Sequence, residues 1–156
     1  MFIYLTKFQG YLYGESMKYA IIYWSRYGNG KKIVDYLAEK LREKGDVQVF
    51  TTSEANPAAM PEADVYVFSA PTEAFNIQRN MRNFMKKLEG MEGKKYGIIN
   101  THAMERNWLH KMEKLLSKKK MIKVAGVDFK VGKNYSEGNG LMDGWERKLD
   151  EFAGRL

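Results

Sequence analysis

The feature that most constrains this chain is a regular alternation of short β-prone runs with apolar residues at helical spacing. The β-prone runs predict five strands, at residues 18–24, 47–51, 65–70, 96–100 and 121–131, with a bulge expected in the last strand at Gly126. Apolar stripes predict four helices, through residues 34–41, 77–88, 108–116 and 145–153. Strands that alternate with helices favour a parallel sheet covered on both faces. The sequence therefore predicts an α/β fold with a doubly wound, five-stranded parallel sheet in three layers.

The chain is expected to form one domain behind a short leading segment. Its 156 residues suit a single hydrophobic core. Met17 stands immediately before the first strand, so residues 17–156 are expected to form the domain and residues 1–16 an N-terminal extension of unclear role. The extension lacks the basic start and sustained apolar run of a signal peptide. No apolar run reaches the roughly 20 residues of a membrane span, and we expect a cytoplasmic protein.

The absence of cysteine excludes several kinds of chemistry. Without it there are no disulfides, thiolate nucleophiles, iron–sulfur ligands or Cys-based zinc sites. The two histidines, His102 and His110, match no metal-binding motif, and we expect no metal. No Ser-His-Asp triad or paired-carboxylate site is visible, so no catalytic residue is assigned. Any redox chemistry must therefore come from a bound cofactor.

A ligand site is expected at one edge of the predicted sheet. In doubly wound folds, ligands bind outside the carboxyl ends of the strands, where the strand order reverses. The loop after the first strand combines Ser25, Arg26, Tyr27, Gly28, Asn29 and Gly30 just before a predicted helix. Glycines allow a tight turn of amide groups, and the start of a helix attracts anions. This loop is therefore either a phosphate-binding loop, to which Ser25 and Asn29 can add side-chain hydrogen bonds, or a plain strand-to-helix turn.

The same loop resembles the phosphate loop of flavodoxins. Members of that family run from an apolar strand into Ser/Thr-x-Thr-Gly-Asn-Thr, and the segment 23–30, Tyr-Trp-Ser-Arg-Tyr-Gly-Asn-Gly, is similar to it. The departures are Tyr27 and Gly30, which stand where the family usually has threonines. The resemblance covers residue 18 to the C-terminus and is to the short-chain type. It implies a flavodoxin-like fold that binds FMN. The charge of Arg26, Lys31 or Lys32 is expected to offset the missing hydroxyls, a contact that flavodoxins generally do without.

The resemblance also implies that two further loops contact the flavin ring. In the loop after the third strand, the cofactor-binding candidates are Pro71, Thr72 and Phe75, with the backbone of Glu73 and Ala74 near the ring edge. Phe75 lies either against the ring or in the core beneath the second helix. In the third loop, which follows the fourth strand and where the family places its second ring-stacking aromatic, the candidates are Thr101, His102, Ala103 and Met104.

The candidates in this third loop carry alternatives of their own. Met104 aligns best with the stacking aromatic, and its thioether can cover a ring. Trp108 is expected to pack in the core. His102 is either a flavin contact or an exposed loop histidine.

The chain is strongly basic, and this bears on its partners. Its formal charge of +7 attracts anions, whereas flavodoxins are typically acidic. Lysines are concentrated late in the chain, on either a solvated helix face or a docking patch: Lys111, Lys114, Lys118, Lys119, Lys120 and Lys123. We expect redox partner proteins with an acidic docking face. Nucleic acid is not expected, because no RNA- or DNA-reading motif is present, and the oligomeric state is left open.

Three functions are compatible with these observations. The first is an FMN-binding electron-transfer protein. The second is an FMN-dependent oxidoreductase acting on a quinone, a porphyrin precursor or NAD(P)H, because similar folds host such activities. The third is a flavin-free interaction domain that uses its basic surface. The short loops favour the first.

Overall fold

The computed structural model describes residues 16–156, so the expected N-terminal extension lies outside the described residues except for Ser16. The strands are β1 (Met17–Tyr23), β2 (Gly45–Thr51), β3 (Val65–Glu73), β4 (Asn76–Ile77), β5 (Lys95–His102) and β6 (Ile122–Lys130). The helices are α1 (Asn29–Arg42), α2 (Arg79–Lys86), α3 (Leu109–Ser117) and α4 (Trp145–Gly154), with a short 3₁₀ turn at Tyr135–Glu137. Among these helices, none has the length and apolar character to cross a bilayer.

The sheet confirms the predicted architecture. Its strand order is β2-β1-β3-β5-β6, and every neighbouring pair along that path is parallel. The sheet has six strands rather than five, because β4 pairs antiparallel with the end of β3. A two-residue strand carries no periodic signal, which is why the sequence did not reveal it. The chain order reverses beside β1 and β3, where a doubly wound fold binds its ligands.

Separate hydrophobic cores fill the two faces of the sheet. Successive side chains of a strand point to opposite faces, so Ala20 and Ile22 join the core under α2 and α3. Tyr19 and Ile21 join the core under α1 and α4. This two-sided burial explains why β1 and β3 consist of nearly continuous apolar runs, and it confirms the three layers.

Two sequence-based details are corrected by the structure. The second helix was expected from Ile77, but Ile77 belongs to β4, and α2 begins at Arg79 after the Gln78 side chain accepts a hydrogen bond from the Met81 amide. The bulge in the last strand lies at Val124 rather than Gly126, because Tyr96 pairs with Lys123 and Gly97 with Ala125. Gly126 stays in register, and a Cβ there would lie 3.3 Å from Lys123 Cε and 3.4 Å from Ile98 Cγ1.

Candidate functional site

A cavity of about 480 Å³ lies at the carboxyl ends of β1, β3, β5 and β6. It is lined by Trp24, Ser25, Arg26, Tyr27, Asn29, Gly30, Pro71, Thr72, Glu73, Ala74, Thr101, His102, Ala103, Val131 and Tyr135. The three predicted loops therefore meet at one cavity. Of the predicted site residues, only Gly28, Phe75 and Met104 are outside its lining. Trp24, Val131 and Tyr135 line it without having been predicted.

The loop after β1 presents free amide groups to this cavity. Gly28 precedes α1 with a φ of 108°, a conformation that favours glycine. The Ser25 hydroxyl accepts hydrogen bonds from the amides of Gly28 (3.2 Å) and Lys31 (3.3 Å). The first-turn amides of a helix have no acceptor within the helix, and the described residues supply none for Asn29 and Gly30. Two N–H groups at the positive end of α1 are therefore available to an anion.

The Asn29 side chain joins the loop after β1 to the segment after β6. Its Nδ2 donates to the carbonyl of Tyr135 (2.9 Å), and its Oδ1 accepts from the amide of Gly140 (2.9 Å). The side chain is buried, and each end of its amide makes one hydrogen bond to the protein. These two hydrogen bonds commit the amide to the segment after β6, while the second N–H of Nδ2 has no partner among the described residues, so a hydrogen bond from Asn29 to a phosphate stays a prediction.

The three nearby cations are also engaged. Arg26 binds the Glu73 carboxylate through two hydrogen bonds. Lys31 pairs with Asp35 one turn along α1, at 2.8 Å, and this hydrogen bond raises the pKa of the Lys31 ammonium. The Lys32 Nζ donates to the carbonyl of Gly138 at 2.7 Å. Each cation thus has a protein partner, and the free backbone amides are the clearest anion-binding groups of the loop.

A fourth segment, residues 132–140, packs against the loop after β1. We call this segment the clasp and the loop after β1 the phosphate-type loop. Gly138 has a φ of 78°, and a Cβ there would lie 2.5 Å from the Tyr27 carbonyl oxygen. The Tyr135 ring meets the Tyr27 ring edge to face, with centroids 5.6 Å apart. The sequence offered one signal for this segment, a glycine-rich stretch directly after the last strand.

The loop after β3 is a tight hairpin. Thr72 pairs with Ile77 and Glu73 with Asn76, which leaves a two-residue turn. Both turn residues, Ala74 and Phe75, have positive φ, of 50° and 60°, as in type I′ turns. Phe75 is 71% exposed. The alternative that Phe75 lies in the core is therefore wrong, and its side chain stands beside Ala74 at the mouth of the cavity.

The loop after β5 is organised by a buried histidine. His102 is only 4% exposed, which corrects the expectation of an exposed loop histidine. Its Nδ1 lies 2.5 Å from the Met104 carbonyl oxygen, and its Nε2 lies 2.6 Å from Asp128 Oδ2. The Met104 carbonyl oxygen and the Asp128 carboxylate are both acceptors for a ring N–H of His102. The Met104 side chain is 63% exposed beside the cavity.

Asn100 ties the second and third loops together, and sequence reasoning missed it. Its fully buried amide donates to the carbonyl of Ala70 (3.1 Å) and lies 3.2 Å from the Thr72 hydroxyl. Its Oδ1 accepts from the Trp108 amide at 2.8 Å. Trp108 is half-buried against the core under α2 and α3, as expected, with the Arg106 guanidinium 4.3 Å from its ring centroid. An asparagine at the end of an apolar strand was the signal available for this network.

Comparison with known proteins points to one family. A flavodoxin domain model matches residues 20–137, whereas no curated protein sequence matches the chain. Similar solved structures include a flavodoxin from the Archaea, with 18% identity, a TM-score of 0.67, and coverage of 88% of this chain and 97% of that one. A Megasphaera elsdenii flavodoxin has 16% identity, a TM-score of 0.71 and coverage of 88% and 99%. The Desulfovibrio gigas rubredoxin:oxygen oxidoreductase has 16% identity and a TM-score of 0.76, over 91% of this chain but only 35% of its own.

Proposed function

This chain belongs to the flavodoxin family, and from that premise we propose that it binds FMN without a covalent bond and transfers electrons between redox proteins. FMN, when bound, supplies the electron-transfer chemistry, and the protein positions the cofactor and sets its electrostatic surroundings. The chain's own residues then have three tasks: to hold the phosphate, to cover the ring and to exclude water.

The observation that carries this proposal is the pair of free amides above the positive end of α1. The N–H groups of Asn29 and Gly30 face no acceptor among the described residues, directly beside a cavity of about 480 Å³. That volume is within the roughly 300–1,000 Å³ of small-molecule sites. A terminal phosphate suits two converging amides and a helix N-terminus. The Ser25 hydroxyl uses its oxygen as an acceptor and keeps its proton for donation.

The opposite end of the cavity suits an aromatic ring. The Phe75 and Met104 side chains stand exposed on the two loops that flank this end. An aromatic ring and a polarizable thioether both pack well against a flat π-system. The hydroxyls of Thr72 and Thr101 add polar groups to the lining. The residues present therefore fit a flavin mononucleotide with its phosphate at α1 and its ring between these loops.

The first test is a titration of the flavin-free protein with FMN and, in parallel, with riboflavin, which lacks the phosphate. We expect one-to-one binding of FMN with a resolved absorbance spectrum and quenched fluorescence, and weaker binding of riboflavin. Equal affinity for the two would contradict the assignment of the phosphate to the loop after β1. No binding of either at micromolar concentration would overturn the proposed function.

A flavin-free interaction domain is the second candidate, and one observation favours it. The three cations near the loop are already paired with protein groups, and Tyr27 and Gly30 supply no threonine hydroxyls. A flavodoxin fold without its cofactor would expose the basic surface as its main recognition feature. The same titration separates this candidate from the first, because it requires that FMN is not retained.

A further inference from the structure

Arg26 and Glu73 form a two-point ion pair between separate loops of the site. Arg26 Nε lies 2.8 Å from Glu73 Oε2, and Arg26 Nη2 lies 2.9 Å from Glu73 Oε1. Paired, nearly parallel hydrogen bonds of this kind fix the mutual orientation of the two groups as well as their distance. Arg26 belongs to the loop after β1, whereas Glu73 ends β3. The pair therefore joins two loops that are 47 residues apart in sequence.

The Arg26–Glu73 pair contacts the hairpin after β3, whose turn has a costly backbone conformation. Glu73 immediately precedes the turn at Ala74 and Phe75, where both residues have positive φ without being glycine. Such conformations are costly for L-residues and persist only when neighbouring contacts hold them. Within the hairpin, the two pairs of β3 and β4 supply part of that support. The Arg26 guanidinium supplies a contact from the opposite loop.

Both partners line the same cavity, and they remain accessible to water. Arg26 and Glu73 are among the lining residues, and their side chains are 49% and 27% exposed. An ion pair in this position can open and close at the surface without disturbing either core. Its strength falls with salt, because exposed charges are screened.

We propose that the Arg26–Glu73 pair is a latch that slows flavin release by holding the Phe75 hairpin to the loop after β1. Arg26 is then a positioning residue, and its charge acts through Glu73 instead of through the phosphate. This inference rests on the proposed function. Exposed ion pairs are weak, so each single substitution is expected to accelerate release by about two- to fivefold.

The experiment compares Arg26→Gln, Glu73→Gln and the double variant by stopped-flow measurement of FMN and riboflavin release. The matched control is Glu113→Gln, which breaks the exposed Lys123–Glu113 pair between α3 and β6, outside the cavity lining and the hairpin. The latch requires that both single variants release FMN and riboflavin faster than the wild type. The double variant should release them no faster than the faster of the two single variants. High salt should accelerate release from the wild-type protein more than from the variants. Glu113→Gln should behave like the wild type.

Two results would overturn the latch. In the first, Arg26→Gln weakens FMN alone while Glu73→Gln tightens it, because a freed Arg26 would then be a phosphate ligand. In the second, neither variant changes release. Amide hydrogen exchange of the flavin-free protein tests the latch independently: both variants should accelerate exchange at residues 73–76. If the wild type bound neither flavin but the exchange result held, the proposed function would fail and the contact between the loops would stand.

Discussion

At the scale of single residues, Gly30 departs from the flavodoxin pattern at a position where the structure has room for a side chain. Its φ lies outside the positive range, and a Cβ there would make ordinary contacts of 3.5 Å with Ser25. A hydroxyl at this position would stand in the first turn of α1, beside the free amides. Gly30 is therefore a site where phosphate affinity can be added.

We expect Gly30→Ser to bind FMN about tenfold more tightly than Gly30→Ala, the matched control that adds only the Cβ. A net hydrogen bond to a charged group is worth about 1.5–3 kcal/mol, and the helix propensity gained over glycine is similar in both variants. Riboflavin affinity should be the same in the two variants. Isothermal titration of both flavins checks this, and equal FMN affinities would show that the side chain at position 30 does not face the phosphate.

Two buried tyrosines offer a matched test of the core. The Tyr19 hydroxyl is buried without a hydrogen-bond partner among the described residues, and burial raises its pKa. The Tyr66 hydroxyl accepts from the Ala63 amide (3.0 Å) and donates to the Pro61 carbonyl (2.5 Å). An unsatisfied buried polar group costs about 1–3 kcal/mol, whereas a satisfied one is stabilising.

Tyr19→Phe should therefore raise the free energy of unfolding by about 1 kcal/mol, and Tyr66→Phe should lower it by a similar amount. Urea unfolding followed by circular dichroism measures both. A loss of stability in Tyr19→Phe would mean that its hydroxyl has a partner, such as a buried water.

At the scale of elements, the clasp lies close to the phosphate-type loop because residue 138 is a glycine, which no other residue can replace without strain. Gly138 combines positive φ with the close approach of the Tyr27 carbonyl oxygen. Gly144, at the start of α4, also has positive φ, of 90°, but a Cβ there would meet nothing within 4 Å. The two positions separate backbone strain from steric contact.

Gly138→Ala and Gly144→Ala should both lose about 1–2 kcal/mol of stability from the positive φ. Only Gly138→Ala should also displace the clasp and weaken FMN binding, by about tenfold, which corresponds to about 1.4 kcal/mol. Urea unfolding and FMN titration of the two variants are the measurements. An unchanged FMN affinity in Gly138→Ala would separate the clasp from the binding site.

The elements were largely predictable, whereas the contacts between loops were not. The five parallel strands and four helices follow from local runs and stripes, which depend on residues near each other in sequence. An exposed His102 was one of the two alternatives, because its partner Asp128 lies 26 residues away, on β6, and no local pattern reveals it. The protein contacts of Asn29 were missed for the same reason, since Tyr135 and Gly140 reach it from 106 and 111 residues away. Propensity and periodicity carry no information about such pairings.

At the scale of the whole molecule, the formal charge of +7 sets the field around the cavity. Positive surroundings stabilise a negatively charged bound group, and the second electron adds negative charge to the flavin. The paired cations near the loop reduce the local part of this effect, but the remaining surface charge acts at longer range. We propose that the same field favours a partner with an acidic docking face.

We expect the second reduction potential of bound FMN to be less negative than in acidic flavodoxins, because the basic chain favours the extra negative charge. Spectroelectrochemical titration at low salt measures it, and the difference should shrink at high salt. The free-FMN potential measured under the same conditions is the control. A second potential as low as that of acidic family members would show that the contacts at the ring outweigh the net charge.

The sheet separates two hydrophobic cores, and the cavity lies across the carboxyl edge of the sheet. The loop after β1 and the clasp lead into α1 and α4 on one side, while the hairpin and the His102 loop lead into α2 and α3 on the other. A substitution in one core would therefore act first on the end of the cavity that its helices support, while the Arg26–Glu73 pair still joins the two ends. Contacts to a phosphate and contacts to a ring can therefore be altered by substitutions in different cores.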